Sequence, residues 1–174
     1  MPDELKNTYL SRNPFVKYFF RLKSRIAVNL ANLKKNDLIL DFGCGAGFLK
    51  NKLKKKGYRV IGYDVTKSQT DIEDYRKLSP SKIFAMDVFE HIPKEELKQV
   101  IRNFKLMSSK FSLIVAIPTE NLISRKIRRI LGKKERVEGH VTNIEEILKI
   151  LNSEFKLEKR INLFFVSYIA KFRN

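Results

Sequence analysis

Three short stretches of the sequence carry residue types that could bind a nucleotide and act on it. A glycine-rich turn spans Asp41 to Gly47, and Asp64 follows 21 residues after its first glycine. Glycine lets a ligand approach the backbone, the next helix offers free N–H groups to an anion, and a carboxylate at this spacing reaches ribose hydroxyls. The third stretch, 87–93, reads DVFEHIP. Together they predict a site for a nucleotide-type cofactor.

The elements that must position these stretches alternate between strands and helices. Helices are predicted at 14–32, 48–56, 93–106 and 142–151, and strands at 37–42, 58–63, 82–87, 111–117, 155–161 and 163–171. This order predicts an α/β fold: a Rossmann-like, doubly wound sheet, mostly parallel with an antiparallel C-terminal edge strand, and helices on both faces. Ligands bind such a sheet beyond the carboxyl ends of its strands. The three stretches are therefore expected at one edge.

Local signals refine three places in this pattern. Apolar residues recur at helical spacing in the first helix: Phe15, Phe19, Leu22, Ile26, Leu30 and Leu33. Thr142 and Glu145 are spaced as a capping box for the last helix. A short strand is predicted at 70–72, and a turn of helix at 73–78.

Composition bounds the class of protein. The chain has 174 residues, 43% of them hydrophobic, which suits one domain, 1–174, with a basic helical segment at 1–35 and a basic insertion at 119–140. Its single cysteine, Cys44, argues against a secreted disulfide scaffold. The first ten residues are too polar for a signal peptide, and no apolar run is long enough to span a membrane. We expect a cytoplasmic chain, peripheral at the inner membrane surface at most.

The net charge of +17 is unevenly distributed. Residues 1–63 carry 14 basic and 4 acidic side chains, residues 121–140 carry 7 and 2, and residues 64–120 carry 9 of each. The excess therefore lies in two blocks that flank a neutral segment. Such blocks indicate an anionic partner.

The sequence of the glycine turn distinguishes between two kinds of nucleotide-binding site. A dinucleotide fingerprint needs glycine at position 48, where this sequence has Phe48. Residues 40–47, LDFGCGAG, instead resemble the first motif of class I S-adenosylmethionine-dependent methyltransferases. The segments DVFEHI at 87–92, LIVAIP at 113–118 and GHV at 139–141 resemble their small-molecule and lipid, or quinone-biosynthesis-like, branch. The resemblance covers residues 36–172.

The resemblance implies S-adenosyl-L-methionine as cofactor and a set of residues around it. These are Asp41, Gly43, Cys44, Gly45, Gly47, Asp64, Val65, Asp71, Asp87, Val88 and His91. Only 23 positions separate Asp64 from Asp87, so the helix between them is expected to be lost or reduced to a turn. Asp71 or Asp74 would then meet the adenine amino group. Cys44 is interpreted as a small space-filler in the turn.

The acceptor is predicted less sharply. The N-P-P-Y-type signature of enzymes that methylate exocyclic amino groups is missing where MDVFEH stands at 86–91, which favours an oxygen or carbon acceptor. His140 is the candidate general base or substrate contact, with a solvated loop histidine as the alternative. His91 could instead serve a helix-entry hydrogen bond, and Glu90 could hold substrate or cap the helix. No residues have metal-ligand spacing, so no metal is predicted.

The basic insertion bears on the class of acceptor. In residues 121–134 apolar side chains occupy one half of a helical wheel and arginines the other, which is typical of a helix at a membrane surface. The segment resembles the membrane-facing cap of lipid-quinone-type methyltransferases, and the N-terminal helix could form the other wall. We therefore favour a small or lipid-like acceptor at an anionic membrane surface. RNA, a soluble metabolite, a non-catalytic cofactor-binding partner protein, or merely solvated lysines stay open as alternatives.

Overall fold

A computed structural model of the chain describes residues 13–119 and 139–174, and its central element there is a six-stranded sheet. The strands are β1 (Leu38–Phe42), β2 (Arg59–Tyr63), β3 (Lys82–Met86), β4 (Ser112–Pro118), β5 (Lys156–Leu163) and β6 (Ser167–Arg173), in the order β2-β1-β3-β4-β6-β5. The first four pair in parallel, whereas β6 is antiparallel to β4 and β5. The predicted α/β fold is confirmed.

Helices cover both faces of this sheet. They are α1 (Pro14–Ala31), α2 (Phe48–Lys54), α3 (Lys94–Met107) and α4 (Ile144–Glu154). Along β1, Leu40 packs in the core with α3 and α4, whereas Ile39 packs with α1 and α2. Because both faces are buried, the inner strands are continuous apolar runs, as parallel strands usually are.

Helix α1 runs antiparallel to the parallel strands and starts at their carboxyl edge. The Asn13 side chain caps it by accepting a hydrogen bond from Phe15 N at 2.9 Å, and Asn32 ends it in the left-handed conformation. The predicted apolar stripe is wrong at its first member, since Phe15 is 77% exposed. The residues buried against the sheet are mostly small, because a helix with short side chains can approach the strands closely: Val16, Lys23, Ser24, Ala27 and Ala31.

The connection from β2 to β3 contains only a 3-10 turn, Tyr75–Lys77, which confirms that the helix expected in the family is reduced to a turn. Tyr75, in this 3-10 turn, packs on aromatic residues of the sheet and of α3. Its ring packs against Phe42, Tyr63 and Phe104, and its hydroxyl accepts a hydrogen bond from Asn103 Nδ2 at 3.0 Å. An aromatic cluster thus takes the place of a covering helix.

Three local predictions are wrong. Residues 70–72 form no strand, because the Thr70 hydroxyl bonds the Ile72 carbonyl instead of leaving it for a neighbouring strand. Asn143, not Thr142, caps α4 by accepting from Glu146 N. The Thr142 hydroxyl instead donates to the Ile92 carbonyl at 2.7 Å, so a tertiary contact takes the predicted cap. The turn between the last two strands occupies 164–166, later than predicted. The prediction failed because residues 164 and 165 are aromatic, and aromatic residues favour strands.

Two predicted features lie partly outside the described residues. These are the N-terminal segment, at 1–12, and the basic insertion, at 120–138 with its candidate membrane helix. The single-domain boundaries 1–174 stay a prediction. None of the helices in the two described ranges combines the length and apolar character that a membrane span requires.

Candidate functional site

The glycine turn folds back over the ends of β1 and β2. Gly43, Gly45 and Gly47 all have positive φ, of 71°, 48° and 77°. The Gly43 amide donates to the Tyr63 carbonyl at 2.8 Å, which ties the turn to the end of β2. A Cβ at Gly43 would lie 2.4 Å from the Val88 side chain. The close packing therefore requires glycine and places the turn directly against the DVFEHI segment.

Asp41 supports the turn from below. Its carboxyl group is buried, with 3% of the residue exposed, and accepts a hydrogen bond from Lys50 N in α2 at 3.0 Å. Burial raises the pKa of Asp41 to about 7, against the lowering effect of that hydrogen bond. Asp41 is thus a titratable group at neutral pH beneath the predicted cofactor turn.

Asp64 joins the turn to the end of β2. One carboxylate oxygen accepts from Gly45 N and the other from Thr66 N, each at 2.9 Å. A carboxylate has about four lone-pair sites, so each oxygen can accept a further hydrogen bond from a hydroxyl. The neighbouring Val65 is 88% exposed. The turn and the acid predicted to act together thus form one cradle.

Asp71 lies beside β2 and is held by three donors. Its Oδ1 accepts from Lys50 Nζ at 2.7 Å, and its Oδ2 from Gly62 N at 3.0 Å and Lys54 Nζ at 3.1 Å. Burial raises the pKa of Asp71, but these donors outweigh it and lower the pKa to about 2. The alternative acid, Asp74, caps the 3-10 turn and pairs with Arg76. An adenine contact by either acid stays a prediction.

Cys44 fills space between the turn and β2. Its Sγ lies 3.4 Å from the Gln69 carbonyl oxygen, and a Cβ added to Gly62 would approach that sulfur to 2.7 Å. Burial, followed by the charge of Asp41, raises the pKa of the thiol to about 12. The thiol is therefore protonated at neutral pH, which supports the interpretation of Cys44 as a space-filler and not a nucleophile.

Lys23 of α1 reaches the carboxyl end of β3. It is 2% exposed, and its ammonium group donates to Oδ2 of Asp87. The ammonium also lies 4.2 Å from the ring centroid of Phe20, a cation–π distance. Asp87 has a positive φ of 56° and donates its amide to the Ala116 carbonyl. The sequence analysis missed this pair. The available signal was that Lys23 lies four residues before Ala27, on the helical face that is buried.

Two histidines that are 49 positions apart meet at the same edge. The rings of His91 and His140 are 4.8 Å apart in an edge-on arrangement. Nδ1 of His91 lies 3.1 Å from the Gly139 carbonyl, so it carries the proton and a neutral ring leaves Nε2 as acceptor. The Glu90 carbonyl accepts from Val141 N, which docks the segment that carries His140 against the DVFEHI stretch.

These histidines and Glu90 also form a group with the composition of a metal site. One ligand atom from each of Glu90, His91 and His140 lies within 4.8 Å of the others. The spacing of the sequence could not reveal this group, because docking of a distant loop creates it. The sequence-based expectation of no metal stays a prediction.

Comparison with known proteins gives one family and many structures of the same fold. A family model described as a methyltransferase domain matches residues 15–125. No curated protein sequence matches the chain. Magnesium protoporphyrin IX methyltransferase from Synechocystis, solved with S-adenosylhomocysteine, has 20% identity and a TM-score of 0.69, with 99% of this chain and 93% of that chain covered.

Two archaeal structures give similar values. A protein from Pyrococcus horikoshii has 19% identity and a TM-score of 0.70, with 95% of this chain and 94% of that chain covered. A methyltransferase dependent on S-adenosylmethionine from Archaeoglobus fulgidus has 13% identity and a TM-score of 0.64, with 99% and 100% covered. At these identities the likeness concerns the fold.

Proposed function

This chain belongs to the methyltransferase domain family as a class I S-adenosylmethionine-dependent enzyme, and we propose that it methylates an oxygen or carbon atom of a small, lipid-like acceptor. The observation that carries the cofactor-binding part of the proposal is the hydrogen bond between Gly45 N and Asp64. It unites the glycine turn and the acid into one cradle at the carboxyl edge of the sheet, where ligands of such folds bind.

The residues of the cradle fit the cofactor. Asp64 retains acceptor capacity on both oxygens for the two ribose hydroxyls, and the neighbouring Gly45 lets a ligand approach the backbone. Gly43, packed on Val88, fixes the floor of the turn. Buried Asp41 supplies a carboxyl group whose ionised form a cationic ligand would favour. When bound, S-adenosylmethionine supplies a methyl group on a sulfonium sulfur.

The second half of the site faces the acceptor. Beside the predicted cofactor residues Asp87 and His91 lie two groups that we assign to the acceptor side. These are His140, whose ring contacts His91, and Lys23 with the Phe20 ring, whose ammonium group pairs with Asp87. Methyl transfer is an in-line displacement, so holding the acceptor in line supplies most of the catalysis, on the order of 7–11 kcal/mol. For a hydroxyl acceptor we assign His140 as the general base: the oxygen gains the methyl group and its proton passes to a ring nitrogen.

The lipid-like character of the acceptor is supported by charge and exposed aromatic residues. Residues 13–36 contain six basic and no acidic side chains. Phe15 and Tyr18, at the start of α1, are 77% and 63% exposed on the edge where the cradle opens. An apolar acceptor drawn from an anionic surface fits this combination better than a freely soluble polar metabolite does. The quinone-like branch of the family belongs to this proposal.

The cofactor half is tested by calorimetry with S-adenosylhomocysteine. The wild-type chain is expected to bind, and Asp64→Ala is expected to weaken binding about 100-fold, since two hydrogen bonds to a charged group are lost. The matched control is Glu73→Ala, which removes an exposed acid of the same β2–β3 connection and should leave binding unchanged. No binding by the wild-type chain would refute the proposed enzyme.

The acceptor half is tested by transfer of a labelled methyl group from the cofactor to defined acceptors. The panel is a long-chain alkylphenol in detergent, a short soluble phenol and bulk RNA. We expect the alkylphenol to be labelled, with His140→Gln lowering kcat about 100-fold or more and changing KM little. Labelling of RNA in place of the phenols would overturn the lipid-like acceptor while leaving the cofactor site intact.

A further inference from the structure

The turn between β5 and β6 combines two features that are rarely found together. The Val166 amide donates to the Leu163 carbonyl at 2.9 Å, which closes a tight turn around Phe164 and Phe165. Both central residues have positive φ, of 50° and 56°. Turns of this kind favour Asn-Gly, because a bulky side chain is disfavoured in the left-handed region. This chain places two phenylalanines there.

Burial within the domain does not explain why phenylalanines occupy this turn. Phe164 is 57% exposed and Phe165 is 62% exposed. Both rings thus stand largely in water in a conformation that disfavours them. A residue pair that opposes both local preferences points to a role outside the domain itself.

Hydrogen bonds hold the turn at the edge where the cradle opens. Thr119, just beyond β4, donates its amide to the Val166 carbonyl and its hydroxyl to the Phe165 carbonyl. Pro118 at the end of β4 pairs with Ser167 at the start of β6. Since β4 is parallel to β1 and β3, the Phe164–Phe165 turn projects from the carboxyl edge of the sheet.

The start of α1 projects from the same edge. Lys23 reaches Asp87 at the end of β3, and a helix rises about 1.5 Å per residue. Tyr18 and Phe15 therefore lie about 8 and 12 Å further along the helix axis, beyond the sheet. Exposed aromatic side chains thus come from two separate elements at this edge.

The segments that carry these aromatic residues are basic, and part of their charge is paired: Lys23 with Asp87, and Lys171 and Arg173 with Glu158. Residues 13–36 and 159–174 contain ten basic and no acidic side chains. Those nearest the edge lie before Lys23 on α1 and in the second half of β5: Lys17, Arg21 and Arg160. Aromatic rings among Lys and Arg match the interface of an anionic bilayer, where rings enter the headgroup layer and basic side chains meet phosphates. A two-ring turn is far smaller than a stable protein interface.

We propose that the Phe164–Phe165 turn inserts into anionic lipid membranes and, with the start of α1, orients the opening of the cofactor cradle toward the bilayer. The inference rests on the proposed function, because a lipid-like acceptor would enter from that side. Membrane binding is measured without cofactor or acceptor, so its failure and the failure of methyl transfer are separate results.

The first experiment replaces the turn by its preferred sequence in the full chain. The double variant Phe164→Asn with Phe165→Gly relieves the left-handed strain, so its melting temperature is expected to rise. Its binding to vesicles containing about one third phosphatidylglycerol is expected to fall at least about tenfold per ring removed. If the two phenylalanines have only a structural role, the double variant should change the melting temperature and leave vesicle binding unchanged.

The matched control uses an exposed apolar side chain at the opposite edge. Leu106 is 84% exposed near the end of α3, which runs away from the carboxyl edge. Leu106→Ser should keep wild-type vesicle binding. Binding of the wild-type chain should also weaken on pure phosphatidylcholine and in high salt, because the Lys and Arg contribution is screened.

A second readout reports insertion directly. The chain has no tryptophan and six tyrosines, so Phe165→Trp creates a single tryptophan that can be excited selectively. Its emission is expected to shift to the blue on anionic vesicles and to be quenched by brominated lipid, whereas Leu106→Trp should show neither change. Equal binding by the double variant and the wild-type chain would overturn the proposal. The proposal would also be overturned if the chain bound no vesicles and the two phenylalanines were instead required for a dimer without lipid or for a complex with RNA.

Discussion

The buried carboxyl group of Asp41 makes the stability of this fold depend on pH in a predictable direction. Burial raises the pKa of Asp41 from 3.8 to about 7. The folded chain therefore holds a proton that the unfolded chain has released between these two values. Stability from this group falls as the pH rises through that window and levels off above pH 7.

The size of the effect follows from the shift. A difference of about three pKa units corresponds to about 4 kcal/mol, most of it developed between pH 4 and pH 8. Asp41→Asn removes the ionisation but keeps an oxygen that can accept the hydrogen bond from Lys50 N. The variant is therefore expected to gain about 4 kcal/mol in free energy of unfolding relative to the wild-type chain over this pH range.

Urea denaturation of both chains at pH 4, 5, 6, 7 and 8 measures this difference. Asp71→Asn is the control of opposite sign: its donors lower the pKa of Asp71 to about 2. Asp71 therefore contributes stability above the unfolded-state pKa, which is lost only as the pH falls toward 2. The Asp71 variant should differ from wild type by a constant amount between pH 5 and 8. A constant difference for Asp41→Asn as well would refute the reasoning.

Further substitutions probe the contacts around the cradle. Lys23→Met leaves Asp87 without its buried ammonium partner and should lower the free energy of unfolding by about 3–5 kcal/mol, with partial recovery when Asp87→Asn is added, as denaturant titration would show. Gly43→Ala forces a Cβ into Val88 at positive φ, so the melting temperature and S-adenosylhomocysteine affinity should both fall, and Val88→Ala should restore part of each. The Cys44 thiol, with its raised pKa of about 12, should resist iodoacetamide at pH 8, and Cys44→Ala should retain methyl transfer.

Much of the fold could be predicted because hydrophobic periodicity and the glycines that end strands and helices are local features of the sequence. Continuous apolar runs marked the buried strands of the sheet, and the glycines after Asp41 marked the turn that follows β1. The short interval between Asp64 and Asp87 correctly predicted a reduced connection. What fills that gap, the packing of Tyr75 against Phe42, depends on distant residues and carries no local signature.

The errors arise where tertiary contacts compete with equally suitable local choices. Thr142 and Asn143 can both cap a helix, and the choice depends on the Ile92 carbonyl, which claims the threonine hydroxyl. The same reasoning explains the missed lysine. Lys23 looks like one more solvated cation until Asp87, 64 residues away, provides a buried partner for its ammonium group.

The Phe164–Phe165 turn shows why a wrong prediction can be informative. Aromatic residues favour strands, so the sequence pattern places the turn earlier, whereas the chain turns at the phenylalanines themselves with both in the left-handed region. A sequence selected for folding alone would carry Asn-Gly at this position. The mismatch between local preference and observed conformation is therefore better evidence for an external contact than exposure alone, because exposed apolar residues are common on protein surfaces and a strained exposed pair is not.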